Sequence, residues 1–362
     1  LRAATNVLQR QLNTTLVVEQ MMRGAKSIYV DYLDYDEVAH HAGVSRPESL
    51  ATLAGLDRVV GQLELAAKLA PRPYSIVLVS DHGQSQGEVF AHRFEPLEDL
   101  VRRLMKGDPT ARKVGDDESY GPLNTLLTSA AQSSSVGSRL TRSALGSKMR
   151  EGSVVLGSDA AEGEAADQDV PELVVVGSGN LGAIWFAHRE GRVTLEDLSA
   201  DHPDLIPGLV AHAGVSFIVL MSASRGVVAV GADGVNFLDE GTVDGQDPLE
   251  RFGPQASLDF QRVAHFPNAP DIYLNSMWDE ERAEVAAFEG LVGCHGGLGG
   301  WQDQGLLIHP ADWKVEKPIV GADQLHHQLV KWLQAQGHRT NLPARTTRSS
   351  AHAYETPHSS TS

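Results

Sequence analysis

The succession strand, helix, strand between residues 27 and 80 limits the fold more than any other feature of the chain. Residues 27 to 33, Ser-Ile-Tyr-Val-Asp-Tyr-Leu, are β-branched and aromatic and read as a strand. From Pro47 to Leu69 the residues Leu50, Leu53, Leu56, Val59, Val60, Leu63 and Ala67 recur at spacings of three and four, which predicts an amphipathic helix with Pro47 in its first turn. Tyr74 to Ser80 brings Ile76, Val77, Leu78 and Val79 in an unbroken run, the pattern of a strand buried on both faces of a parallel sheet. Such an order implies a right-handed crossover. The expected class is α/β, a mostly parallel sheet sandwiched by helices, with ligand groups beyond the strand C-termini.

Further along, a helix is expected near Glu95 to Met105, and short strands at Leu173 to Val176, Ala183 to Ala187, Val215 to Met221, Val227 to Val230, Asp271 to Asn275 and Leu306 to His309. Helical patterns lie around Leu205 to Val210, Ser257 to Val263 and Gln324 to Leu333. Residues 116 to 150 are rich in Ser, Thr and Gly, and 157 to 169 hold five acids and no base. The stretch from about 116 to 170 therefore reads as a flexible insertion in one domain spanning 1 to 338. The last 24 residues, from Arg339, include ten Ser or Thr without apolar periodicity, so a disordered tail is expected at 339 to 362.

Charge narrows the function. The 30 Lys and Arg against 47 Asp and Glu give a formal charge of −17, and no basic cluster with interleaved aromatics appears, which argues against a nucleic-acid groove. The single cysteine, Cys294, rules out an intramolecular disulfide and any Cys-based zinc cluster. Metal ligands must come from His and carboxylates. No apolar run approaches the roughly 20 residues of a membrane span.

Three short motifs supply such ligands. Asp36-Glu37-Val38-Ala39-His40 places a carboxylate and an imidazole four residues apart, which converge if the segment is a helical turn; the bland alternative is a helix cap and a surface His. Asp81-His82-Gly83 follows the apolar run, where two polar residues are costly to bury without partners; the bland alternative is Asp81 as a helix cap with His82 a bystander. Gly293-Cys294-His295-Gly296-Gly297-Leu298-Gly299-Gly300 sets five glycines around one His, either a backbone that passes close to something bulky or a floppy exposed loop. Together Asp36, His40, Asp81, His82 and His295 are too many ligands for one tetrahedral zinc and almost enough for two metals about 4 Å apart.

Two competing motifs carry less. Gly177-Ser178-Gly179-Asn180-Leu181-Gly182 matches a dinucleotide fingerprint, with Glu196 and Asp197 at plausible distance, but strand-like residues follow it where a helix is needed, so it reads as a strand-to-strand turn. A thiol mechanism at Cys294 beside His295 is disfavoured because adjacent side chains in extended backbone point opposite ways. No G-x-S-x-G elbow is present.

In the order D-x-x-x-H, S-D-H-G and a late H-G-G, the chain resembles the alkaline phosphatase superfamily, most closely its type I phosphodiesterase/nucleotide pyrophosphatase branch. The resemblance spans roughly residues 27 to 110 and 170 to 335. It implies an alkaline-phosphatase-like fold in which Asp36, His40 and His295 form one metal site while Asp81 and His82 contribute to another. The implied activity is hydrolysis of a small phosphoester, of phosphodiesterase or phosphatase type, through a covalent phospho-enzyme. Two divalent ions are implied, zinc for a His-rich ligand set without Cys, with manganese as the alternative. The family's Thr or Ser nucleophile opens a helix upstream of D-x-x-x-H, whereas Thr5, Thr14 and Thr15 lie on what reads as an uninterrupted helix. With Leu1 in place of Met, this leads to the expectation of an N-terminally truncated chain, its nucleophile and any membrane anchor upstream. The alternative is a non-catalytic member that binds metal or a phosphorylated ligand.

Overall fold

The computed structural model describes residues 2–106, 111–114, 149–150, 153–154, 171–315 and 317–338. Most of the expected insertion at about 116 to 170, and the tail at 339 to 362, lie outside them. Two compact units emerge: Leu1–Pro73 with His82–Gly305, and Tyr74–Asp81 with Leu306–Ser362.

The chain begins with three helices, α1 (Arg2–Met22), α2 (Asp34–Ala42) and α3 (Pro47–Leu69). Helix α3 has the bounds its periodicity predicts, with Pro47 at its first turn, where the missing N–H costs nothing. The strands follow in chain order as β1 (Leu78–Val79), β2 (Ser85–Val89), β3 (Ala111–Val114), β4 (Met149–Arg150), β5 (Ser153–Val154), β6 (Leu173–Ser178), β7 (Leu181–Phe186) and β8 (Val215–Ser222). They continue as β9 (Gly226–Val230), β10 (Gly234–Phe237), β11 (Thr242–Gly245), β12 (Ile272–Ser276), β13 (Trp278–Asp279), β14 (Glu284–Ala287), β15 (Gly293–Cys294) and β16 (Leu307–Ile308).

Among the described residues, eight strands form the main sheet in the order β11-β10-β9-β8-β12-β7-β6-β3. All its neighbours are antiparallel except β3 and β6. The class is thus mixed α/β, and the expected mostly parallel sheet is not what the chain builds. Connection length explains the outcome: a parallel pair needs a crossover of a dozen or more residues, whereas β6 to β11 include joins of only a few residues. The continuous apolar runs reported burial on both faces and nothing about direction. In β8, Phe217 and Val219 enter one hydrophobic cluster with Tyr273 of β12, while Ile218 and Leu220 enter the other with Ile272 and Leu274. Leu100, Leu198 and Leu209, from helices Leu97–Leu104, Leu195–Asp201 and Leu205–Ala211, fill the latter face; helix Ala256–Ala264 brings Phe260 to the former. An antiparallel sheet covered by helices on both sides reads locally like a parallel one.

Both strands of the expected crossover are also corrected. Residues 27–33 form no strand: Tyr29 is 91% exposed, and the segment runs along α1, with Asn13 Nδ2 donating to the Asp31 carbonyl at 2.8 Å. Of the 74–80 run, only Leu78 and Val79 pair, antiparallel to Leu307 and Ile308, and Val79 is 43% exposed. β-propensity makes a strand only where a neighbour supplies the ladder. The second unit holds this β1–β16 pair and helix Ala322–Ala335, whose Trp332 ring lies 5.0 Å from that of Trp313.

Glu196 and Asp197 serve the architecture. Thr194 and Asp197 form a reciprocal capping box at the start of Leu195–Asp201. Glu196 accepts from the Ala223 N–H at 2.8 Å and the Ser222 hydroxyl at 2.7 Å in the β8–β9 turn. Desolvation alone would raise the Glu196 carboxyl, but these bonds bring it down to about 2. Because the folded value is depressed, its contribution is present above the unfolded value near 4.5 and is lost as pH falls from there through about 2. Glu196→Gln is expected to flatten the acid limb of stability over that window, by on the order of 1 kcal/mol for so exposed a group. Urea melts of both proteins at pH 3 and pH 6 check this; an equal loss at both pH values would sink it.

Candidate metal centre

Helix α2 turns the D-x-x-x-H spacing into one face. Asp36 and His40 are separated by one helical turn, and His40 Nε2 lies 3.3 Å from Asp36 Oδ2. The His40 Nδ1 lies 2.8 Å from the carbonyl oxygen of Gly293, on β15, so the ring is fixed with its Nε2 toward Asp36. The second motif brings His82, whose Nδ1 lies 3.0 Å from the Gly83 carbonyl. The third brings His295, its Nε2 3.7 Å from Asp36 Oδ1 and its ring stacked on that of His82 with centroids 3.7 Å apart. His40 and His295 rings tilt against each other at 5.0 Å.

Ligand atoms of Asp36, His82 and His295 all lie within 4.8 Å of one another. His40 pairs with Asp36 from the side of the helix. Asp81 is exposed and belongs to the other compact unit. Burial would raise the Asp36 carboxyl, but hydrogen bonds from His40 and Gln84 and the charges of His40 and His295 hold it at about 2. Asp36 is therefore an anion among imidazoles, a set whose oxygen and nitrogens could hold a metal ion.

Sequence reasoning missed Gln84. Its Nε2 donates to the Asp36 backbone oxygen at 3.1 Å and to the Asp36 carboxylate, while its own Oε1 is a buried acceptor without a hydrogen-bond partner. The only signal was adjacency to Asp81-His82-Gly83. Cys294, next to His295, turns away into an apolar cluster with Val285, Ala287 and Leu291, and burial pushes its thiol up to about 12. It is an inert packing residue. Thr14 and Thr15 donate back to the Arg10 and Gln11 carbonyls inside α1, so neither is presented as a nucleophile.

The site and fold thus define a mixed α/β protein with a carboxylate and imidazole cluster. Residues 6–176, just under half of the chain, match the model of the family described as type I phosphodiesterase / nucleotide pyrophosphatase, which bears out the resemblance to the alkaline phosphatase superfamily. The matched segment includes Asp36, His40, Asp81 and His82 and ends well before His295. No curated protein and no solved structure matches the chain. Among the described residues no helix is long and apolar enough to cross a membrane.

Proposed function

We propose that the chain carries the metal centre of a phosphoester hydrolase of phosphodiesterase type, acting on small substrates. The observation that carries this reading is the meeting of Asp36, His82 and His295, from three motifs far apart in sequence, within 4.8 Å. The family match to residues 6–176 supports the reaction class.

Asp36, His82 and His295 would hold one divalent ion, with His40 as a further ligand to it or as the group that orients Asp36. Asp81 is proposed for a second ion, for which the family resemblance implies Asp81 together with His82. Bound ions would supply positive charge to a phosphoryl group and acidity to a bound water. The protein's part is orientation. The Gly293 carbonyl fixes the His40 ring, the Gly83 carbonyl fixes the His82 ring, and Gln84 holds the Asp36 carboxylate. No hydroxyl of this chain is assigned as nucleophile. Zinc is the ion proposed, with manganese as the alternative, and the whole of 1–338 is proposed as one hydrolase domain.

The test uses chelator-stripped protein, a zinc titration followed by calorimetry, and hydrolysis of bis(p-nitrophenyl) phosphate. Zinc binding that is strongly weakened but still measurable in His295→Ala, with hydrolysis that requires the ion, is the expected result. Failure of the wild-type chain to bind zinc or manganese overturns the reading. Tight binding without turnover would favour the alternative, a non-catalytic metal or phospho-ligand binder.

A further inference from the structure

The Gly-rich segment after β15 has no regular secondary structure, yet its backbone is held by side chains from three other elements. Asn180, fully buried in the β6–β7 turn, donates from Nδ2 to the Leu298 carbonyl at 2.9 Å and accepts from the Gly297 N–H at 3.2 Å. Asn275, fully buried in β12, accepts from the Leu298 N–H at 2.7 Å and donates to the Leu298 carbonyl at 3.1 Å. Ser85 of β2 donates to the Gly299 carbonyl at 2.8 Å and accepts from the Trp301 N–H at 2.9 Å. Both backbone polar groups of Leu298 are thus held by buried amides, each satisfied in turn.

The β6–β7 turn is itself anchored. Gly179 donates its N–H to Glu289 Oε2 at 2.5 Å and accepts from the Phe288 N–H at 2.7 Å. Its φ of +56° and its approach to the His295 carbonyl, with which a Cβ would collide, require glycine there. Gly296, at φ +119°, approaches the Ser178 carbonyl, with which a Cβ there would also collide. The segment that imitates a dinucleotide fingerprint is therefore the bed on which the His295 loop lies.

We infer that Asn180 and Asn275 are positioning residues for His295: they fix the 297–298 backbone and so set the imidazole against Asp36 and His82. The inference rests on the metal reading of the site, but its physical content is separable. Two buried amides on the backbone of residues 297 and 298 hold the loop in one conformation, and a ligand held in one conformation binds an ion without first losing freedom.

The experiment is zinc titration calorimetry of the full chain as wild type, Asn180→Ala, Asn275→Ala, His295→Ala and the Asn180→Ala/His295→Ala pair, with amide hydrogen exchange and His295 ring NMR signals on the zinc-free proteins. Zinc affinity is expected to fall roughly 10- to 100-fold in each Asn variant, as for other residues that orient ligands. In the His295→Ala background, Asn180→Ala should add less than about twofold, because a positioning residue has nothing left to position. Equal affinity in folded Asn variants, or full additivity with His295→Ala, overturns the inference. Should the Ala variants fail to fold, Asn180→Asp and Asn275→Asp keep the volume and the acceptor while removing the donor, and the same affinity criterion decides. If wild type binds no zinc, the proposed function falls. The positioning role is then decided by exchange at Gly297 and Leu298 and the His295 ring signals: faster exchange with shifted signals supports it, and unchanged values overturn it.

Discussion

Asp36→Ala is expected to lower zinc affinity by more than about 100-fold, beyond the roughly 10- to 100-fold cost of losing a residue that only orients a ligand. Imidazoles ligate as neutral rings, so Asp36 is the one member of the Asp36, His82, His295 cluster that brings negative charge to a dication. It is also the group to which the others turn: His40 at 3.3 Å, His295 at 3.7 Å, and Gln84 on the same carboxylate. Asp36→Asn keeps an oxygen and the shape but not the charge, and it should also lose most of the affinity. Calorimetry or competition against a chelator measures both variants, with circular dichroism to show that α2 persists. Zinc binding by Asp36→Ala within about threefold of wild type would remove the carboxylate from the centre, since each 1.4 kcal/mol is tenfold in affinity.

Local periodicity was the legible part of this chain. Helix α3 is where its apolar spacing puts it, and β6, β7, β8, β9 and β12 lie close to their expected positions. Direction was not legible, because an unbroken apolar run reports two covered faces and the alternation of Phe217, Ile218, Val219 and Leu220 between two clusters satisfies that in an antiparallel sheet. Short joins between successive strands carried the directional information instead. For the site, residue type and spacing in three short motifs pointed to Asp36, His40, Asp81, His82 and His295, and the structure brings ligand atoms of Asp36, His82 and His295 within 4.8 Å of one another. The residues that hold them were hidden for a physical reason. Asn275 is one amide at the end of an apolar strand, Asn180 sits in a turn that resembles another motif, and the Gly293 carbonyl on His40 belongs to the backbone, which no residue type announces.

Asp271→Ala is expected to cost about 3–5 kcal/mol of stability, near the upper range for single substitutions. The Asp271 side chain, 5% exposed just before β12, accepts from the Phe186 N–H at 2.8 Å through Oδ2 and from the Val193 N–H at 2.8 Å through Oδ1. Truncation leaves two buried backbone donors unpaired, each worth about 1–3 kcal/mol. Asp271→Asn offers one acceptor oxygen for two donors, so it should lose roughly half as much. Chemical denaturation measures both, and a loss below about 1 kcal/mol in Asp271→Ala would show that water or backbone shifts satisfy the donors. The folded fraction should keep its zinc affinity. Asp271 and Asn275 are four residues apart on one extended segment, about 13 Å, so the strand has a structural end and a site-facing end. Substitution at the first should move the denaturation midpoint alone, and substitution at the second should move zinc affinity through His295.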